Sequence, residues 1–87
     1  MLTVTETASA RLGELLSDSP QDEVMRIVRP NRRARMRRDH ARPDDTVFTH
    51  NGRVVLVLDG AVADSLAART LDLRQATTGP RLRLKVR

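Results

Sequence analysis

The strongest constraint on the fold of this chain is a hairpin signal near its middle. Asn51-Gly52 lies between two apolar segments, and this dipeptide readily adopts the positive φ angles that a type I′ turn requires. The flanking segments, Thr46–His50 and Arg53–Leu58, are therefore predicted to be antiparallel strands. Five consecutive apolar residues, Val54 to Leu58, make up most of the second strand. We expect this strand to lie inside a sheet that is covered on both faces.

Periodic apolar residues predict further strands and two helices around this hairpin. Thr5 is a candidate N-cap, since its hydroxyl can accept a hydrogen bond from an otherwise unpaired backbone N–H. The apolar residues of the C-terminal segment, Leu82, Leu84 and Val86, alternate with basic residues and are expected to face inward. The other predicted elements are a strand at Met1–Val4, a helix ending near Leu16, a strand at Val24–Arg29, a helix at Ala61–Ala68 and a strand around Leu71 and Leu73.

This order of elements predicts a mainly β (α+β) fold in one domain over residues 1–87. The expected domain consists mostly of strands, with an N-terminal helix and one short second helix. Residues 30–42 form an Arg-rich loop or edge strand within it, and the sequence leaves both alternatives open. A chain of 87 residues buries a limited core. Contact with a protein partner, or with a second copy in a homodimer, is therefore expected to cover further apolar surface.

The composition excludes several classes of function. Phe48 is the only aromatic residue, and the chain has no Cys, Trp or Tyr. Disulfides, thiolate nucleophiles, Cys-ligated zinc and thiol-ligated iron–sulfur clusters are therefore excluded for these residues. Nucleic-acid modules that stack bases on aromatic side chains are disfavoured for the same reason.

Positive charge is concentrated in residues 26–42, which hold eight Arg and a single acid, Asp39. This stretch could contact phosphates of a nucleic acid, bind an acidic protein, or form a solvated loop. No helix-turn-helix, KH or zinc motif accompanies it. The candidate anion-binding or partner-binding residues are Arg32, Arg33, Arg35, Arg37 and Arg38.

No catalytic, cofactor-binding or metal-binding residue is predicted, so the protein is expected to be neither an enzyme nor a cofactor carrier. The two histidines, His40 and His50, match no metal-binding spacing, and the nearby arginines disfavour a bound cation. No serine lies in a G-x-S-x-G motif. Four carboxylates could accompany the histidines: Asp39, Asp44, Asp45 and Asp59. Of these, Asp44, Asp45 and Asp59 are interpreted as turn residues that are not buried.

The N-terminal residues predict neither a signal peptide nor a membrane segment. They have no basic region and include Glu6, which is unlike a secretory signal. The longest apolar run, Val54 to Leu58, is far shorter than the roughly 20 residues that span a bilayer. A cytoplasmic protein that does not contact membranes is expected.

The order of elements and several segments resemble the A-type carrier family of iron–sulfur assembly, the IscA/HesB-like domain. The opening MLTVTETASARLGELL resembles the first strand and helix of the family, and VMRIVR resembles its next strand. PDDTVFTHNGRVVLVLDG is similar to its acidic turn, hairpin and Val-rich strand. AVADSLAARTLDL and GPRLRLKVR resemble the short helix and the closing strands. The resemblance implies a HesB-like fold, which is a small mixed β-sandwich or pseudo-barrel with an N-terminal helix and one short second helix. It also implies a role related to iron–sulfur cluster assembly.

The chain differs from this family in the residues that bind iron or the cluster. Family members that carry iron or a cluster use three cysteines, one in a Gly-rich loop after the second strand and two in a Cys-Gly-Cys segment beyond the last. The corresponding loop here is Pro30-Asn31-Arg32-Arg33, and residues 1–87 contain no Cys-Gly-Cys segment. The resemblance therefore implies a cysteine-free member, an accessory or adaptor protein or a degenerate carrier, whose partner belongs to the assembly machinery. The alternative is a small basic nucleic-acid-binding module that uses Arg26–Arg42.

Overall fold

Two β-sheets and two helices form the fold, and the computed structural model describes residues 1–86. The three-stranded sheet has the order β1-β6-β7, and the four-stranded sheet has the order β3-β2-β5-β4. The predicted mainly β fold with two helices is confirmed, and the two sheets do not close into a barrel. The elements are β1 (Thr3–Val4), α1 (Glu6–Leu15), β2 (Glu23–Val28), a 3₁₀ turn (Pro30–Arg32), β3 (Arg35–His40), β4 (Thr46–His50), β5 (Arg53–Leu58), α2 (Gly60–Ser65), β6 (Arg69–Ala76) and β7 (Gly79–Val86).

The predicted hairpin is confirmed. Asn51 and Gly52 have φ angles of 51° and 79°, as a type I′ turn requires, and β4 pairs with β5 in antiparallel orientation. On its other side β5 pairs in parallel with β2, so it is an internal strand. Val55, Leu56, Val57 and Leu58 are each at most 1% exposed, which confirms that both faces of β5 are covered.

Helix α1 begins as predicted. The Thr5 hydroxyl accepts a hydrogen bond from the Ala8 amide at 3.2 Å. The helix buries Ala8 and Leu12 against the sheets. Gly13 lies at a close approach, because a Cβ atom there would be 3.3 Å from the His50 ring. This contact accounts for a glycine inside the helix.

The C-terminal end of α1 is held by Arg53, a residue that sequence analysis did not single out. Its guanidinium donates to the carbonyl oxygens of Leu16 at 3.0 Å and Pro20 at 2.9 Å. The cation beside the carbonyl of Leu16, the C-cap residue, complements the negative end of the helix dipole. Arg53 therefore ties the start of β5 to the end of α1.

Two predictions for the second half of the chain need correction. Helix α2 spans Gly60–Ser65, shorter than the predicted 61–68, and Asp59 is its N-cap, accepting a hydrogen bond from the Val62 amide at 2.8 Å. Val86 does not face inward, since it is 71% exposed. It pairs with Arg69, the first residue of β6, at the end of the sheet. Leu82 and Leu84 do pack against the core.

The main core lies between the two sheets and α1. It includes Leu12, Ile27, Leu56 and Leu71. On β2, Ile27 faces this core while its neighbour Arg26 points to the opposite face, because side chains alternate along a strand. None of the helices in residues 1–86 is long and apolar enough to span a membrane.

Candidate functional site

The Arg-rich stretch divides into a buried residue and an exposed group. Arg26 is 2% exposed, whereas the predicted binding residues Arg32, Arg33, Arg35, Arg37 and Arg38 are all exposed. Arg32 is the last residue of the 3₁₀ turn and Arg33 follows it. The other three, Arg35, Arg37 and Arg38, lie on β3. Since β3 is the edge strand of the four-stranded sheet, these side chains extend along one margin of the molecule.

Arg26 is held by an internal network of carboxylates. Its Nη1 and Nη2 atoms donate to the two carboxylate oxygens of Asp45 at 2.9 and 2.6 Å. Its Nε donates to Asp39 at 2.7 Å, and Nη2 also donates to the His40 carbonyl at 3.2 Å. A buried guanidinium is tolerated when each of its three nitrogen atoms donates a hydrogen bond in this way. Arg26 is therefore a structural residue and is not available to a ligand.

The expectation that Asp45 is an exposed turn residue is wrong. Its side chain is only 3% exposed, and it also accepts a hydrogen bond from the Arg42 amide at 2.7 Å. Asp45 precedes β4, so these bonds hold the 41–45 loop against the outer face of the sheet beside Arg26. The turn is consequently built around a buried charge pair, a role that local sequence does not reveal.

The pKa values of both acids follow from this network. The hydrogen bond from Arg26 lowers the pKa of Asp45 below its usual value. The pKa of Asp39 is lowered chiefly by the hydrogen bond that the His40 amide donates to it, and further by Arg26. The hydrogen bond to Asp45 in turn raises the pKa of Arg26. All three groups are therefore charged at neutral pH.

Acid is expected to destabilise the fold through these carboxylates. An aspartate in the unfolded chain has a pKa of about 3.9, and the folded values of Asp39 and Asp45 are lower. Their stabilising contribution is fully present above about pH 3.9 and is lost as the pH falls through the folded values. Urea melts between about pH 5 and 2 should show this loss, and Asp45→Asn should flatten it. The matched variant Asp44→Asn, at an exposed position, should retain the wild-type profile; equal profiles for both variants would contradict the assignment.

The histidines and the other carboxylates do not converge. His40 lies 3.6 Å from Asp22, and His50 lies 4.0 Å from Glu6. Asp59 caps α2, and Asp44 is exposed in the 41–45 loop. Within residues 1–86, no group of three or more His, Asp or Glu side chains could hold a metal ion.

Two exposed arginines of β3 contact acids of the same molecule. Arg37 lies 3.7 Å from Asp39, and Arg38 lies 3.5 Å from Glu23. Arg38 also donates to the Leu15 carbonyl at 3.1 Å. These pairs are solvent-exposed, so each contributes little to stability. They nevertheless neutralise part of the positive charge at this end of β3.

Five arginines that have no such acidic partner lie around an open groove of about 420 Å³ between β3 and β7. These strands are the edge strands of the two sheets. We call this cavity the edge groove. Its arginines come from five separate places in the fold, and within residues 1–86 none of them forms a salt bridge. The groove arginines are Arg29, Arg32, Arg35, Arg69 and Arg83.

The rest of the edge groove is aliphatic. Its floor continues the main core, with Ile27, Leu66 and Leu71 buried. Met36, Leu82 and Leu84 are half-buried and face the groove above them. The candidate binding residues proposed from the sequence include Arg32 and Arg35 but not Arg29, Arg69 or Arg83. The groove arginines become neighbours only when the two sheets pack, so no local motif marks them as a set.

Two solved structures share this fold. Escherichia coli SufA, described as involved in biosynthesis of iron–sulfur clusters, matches with a TM-score of 0.74 and 18% sequence identity, over 98% of this chain and 84% of SufA. IscA with its [2Fe-2S] cluster matches with a TM-score of 0.63 and 16% identity, over 99% of this chain and 85% of IscA. This chain has the IscA/HesB-like fold. No protein-family model and no curated protein matches the sequence.

The IscA/HesB-like fold predicted from the sequence is thus confirmed. The loop after β2, residues 30–33, differs from the expected Gly-rich loop in its residues. The family resemblance places a cysteine in a Gly-rich loop there. Here Asn31 and Arg32 occupy the loop with φ angles of 52° and 65°, a left-handed backbone that glycine adopts most easily. Holding an arginine in this conformation has an energetic cost of about 1 kcal/mol or more. The backbone thus has a shape suited to glycine, but it presents the Arg32 side chain to the edge groove.

The donor set does not fit an iron–sulfur cluster. Such clusters are held by thiolates, or by thiolates and imidazoles, and the chain has no cysteine. Two of the four residues that occupy the family's cysteine loop are arginines, and their charge opposes a bound cation. Residues 1–87 therefore provide no thiolate ligand for a cluster.

Proposed function

We propose that this protein is a non-enzymatic adaptor of iron–sulfur cluster assembly that acts in the cytoplasm by binding a protein partner. The observation that carries the proposal is a fold shared over nearly the whole chain with SufA and IscA, combined with arginines where the family has its first ligand. A chain with this combination has the carrier fold but lacks the cysteine ligands that would bind the cluster. A role in contacting assembly proteins agrees with both features.

Partner binding is proposed to use the exposed arginines that sequence analysis singled out. Arg32 and Arg35 line the edge groove, while Arg33, Arg37 and Arg38 extend the positive surface along β3. Arginine forks pair well with carboxylates, and arginine is frequent at protein interfaces. An acidic surface of a carrier or scaffold protein would complement this margin of the molecule.

Anaerobic mixing with ferrous iron and sulfide is expected to leave the purified protein colourless after desalting. The reason is that the sequence contains no cysteine, and residues 1–86 bring together no set of other side chains that could hold a metal ion. Visible absorption spectra measure the outcome, and an A-type carrier treated in parallel is the positive control. A stoichiometric cluster spectrum from this protein would refute the proposal that it does not carry the cargo.

The adaptor role is tested by direct binding and by cluster transfer. The labelled protein is titrated with a purified A-type carrier and with a cluster scaffold, and the rate of transfer to an acceptor is measured with and without it. Binding that changes the transfer rate supports the proposal. The variant in which Arg32, Arg33, Arg35, Arg37 and Arg38 are all alanine should bind more weakly.

The alternative function, nucleic-acid binding, is tested with the same labelled protein and the same five-arginine variant. Fluorescence anisotropy with duplex DNA and single-stranded RNA is recorded over a salt series. Phosphate contacts would give binding that weakens steeply with salt and depends little on sequence. Failure to bind either assembly protein, together with sub-micromolar nucleic-acid binding at about 0.15 M salt that the five-arginine variant abolishes, would overturn the adaptor role.

A further inference from the structure

We propose that the edge groove is a docking site for an extended peptide segment of a protein partner, in which acidic residues alternate with aliphatic ones. This inference rests on the proposed function and specifies the partner surface that the protein recognises. The groove differs from the arginine set predicted from sequence. It includes Arg29, Arg69 and Arg83, which lie outside that set, and it excludes the β3 arginines that pair with the protein's own acids.

The positive charge of the groove favours a ligand with several negatively charged groups. Its five arginines face no carboxylate among the lining residues. Asp39 and Asp45, on β3 and in its following loop, are engaged by Arg26. Asp72, which lies opposite Arg83 in the register of β6 and β7, is engaged by Thr5 and Lys85. The groove therefore carries an uncompensated positive charge within a partly enclosed space, where electrostatic attraction is stronger than in open water. Carboxylates are natural partners, since the guanidinium fork binds them through two parallel hydrogen bonds.

The lining chemistry favours a peptide over a nucleic acid. Apart from the arginines, every lining side chain is aliphatic, so the groove offers no side-chain acceptor for the polar edge of a base or sugar. It also offers no aromatic ring on which a base could stack. Phe48, the only aromatic residue, lies on β4, at the opposite edge of the sheet from β3. Met36, Leu82 and Leu84 instead provide contacts for Leu, Ile or Val side chains of a partner.

The position of the groove favours an extended segment. It lies between two edge strands, and a peptide that runs between them can approach the free backbone edge of either one. In an extended peptide, successive side chains point to opposite sides. Aliphatic side chains on one side would then contact the floor while acidic side chains on the other reach the groove arginines on the rim.

A synthetic peptide tests this pairing directly, whichever protein the natural partner is. The probe is a short fluorescein-labelled peptide in which Asp and Leu alternate, and its binding to the full chain is followed by fluorescence anisotropy at about 0.15 M salt. One control peptide replaces each Asp by Asn, and another replaces each Leu by Ser. Both controls are expected to bind at least about tenfold more weakly, because each lacks one of the two required contacts.

Matched protein variants locate the binding site. Arg35→Gln combined with Arg83→Gln removes two groove arginines, and Arg74→Gln combined with Arg81→Gln removes two exposed arginines of β6 and β7 that lie outside the groove. The first pair should weaken peptide binding at least about tenfold, and the second pair less than about threefold. Far-UV circular dichroism and thermal melts verify that both variants are folded. Equal effects of the two pairs would mean that general charge, and not the groove, governs binding.

The outcomes separate this inference from the proposed function. If the wild-type protein binds a carrier or scaffold and the Arg35/Arg83 variant binds it equally well, the adaptor role stands and the groove inference is wrong. If the peptide binds through the groove and no assembly protein binds, the groove inference stands and the adaptor role fails. The inference would also be overturned if single-stranded RNA bound in the groove more tightly than the peptide does. It would likewise be overturned if a second copy of this chain occupied the groove and displaced the peptide.

Discussion

Replacing Asp45 by alanine is expected to lower the free energy of unfolding by about 3 kcal/mol. The substitution leaves the Arg26 guanidinium buried, with the Nη1 donor and one Nη2 hydrogen bond lost. The expected loss is at the lower end of the range for broken buried ion pairs, because Asp39 still neutralises Arg26. The loss is large for a domain whose total stability is of the order of 5–15 kcal/mol.

Urea unfolding followed by far-UV circular dichroism measures this effect, since the chain has no Trp or Tyr for fluorescence. Asp44→Ala is the matched control, because its side chain lies in the same turn and is exposed. It should change the free energy of unfolding by less than about 0.5 kcal/mol. If the two alanine variants are equally stable, the buried pair does not hold the 41–45 loop.

Replacing Leu56 by alanine is expected to reduce the free energy of unfolding by about 2–5 kcal/mol. Leu56 is fully buried on β5 and belongs to the main core, so the substitution both removes apolar contact and opens a cavity. Val47→Ala provides a comparison, since Val47 lies on the edge strand β4 and is 48% exposed. It should cost less than about 1 kcal/mol. A loss of under about 1 kcal/mol for Leu56→Ala would contradict the internal position of β5.

The parts of the fold that sequence analysis predicted correctly are those that neighbouring residues determine. Asn51 and Gly52 specify their own turn, the apolar run of β5 signals a covered strand, and Thr5 caps the helix that follows it. Each of these signals acts over a few residues. The family resemblance extended them to the IscA/HesB-like fold, because the order of such elements is retained when few individual residues are.

The burial of Arg26 was not predictable in the same way. Arginine is rarely buried, and its acceptors Asp39 and Asp45 come 13 and 19 residues later in the sequence. Only the pairing of β2 with β3 and the return of the loop bring the three together. Counting charges along the chain therefore assigned Arg26 to a basic surface that does not contain it.

The candidate site was predicted in part for a related reason. Sequence analysis identified a local cluster of arginines, and two of them do line the edge groove. Arg69 and Arg83 come from β6 and β7 and reach the groove through sheet packing. Conversely, Arg37 and Arg38 lie close in sequence to the groove arginines yet pair with Asp39 and Glu23. The separation of paired from unpaired arginines depends on tertiary structure.

The pairing of β1 with β6 has a consequence for how the chain reaches its native state. These strands are parallel, with Thr3 beside Thr70, and Thr5 donates a hydrogen bond to Asp72 across a separation of 67 residues. Contacts this distant in sequence close large loops before they contribute stability, which slows folding. During synthesis β1 therefore remains unpaired until β6 has left the ribosome. The three-stranded sheet consequently forms late, and folding is completed only when the residues up to β7 have been synthesised.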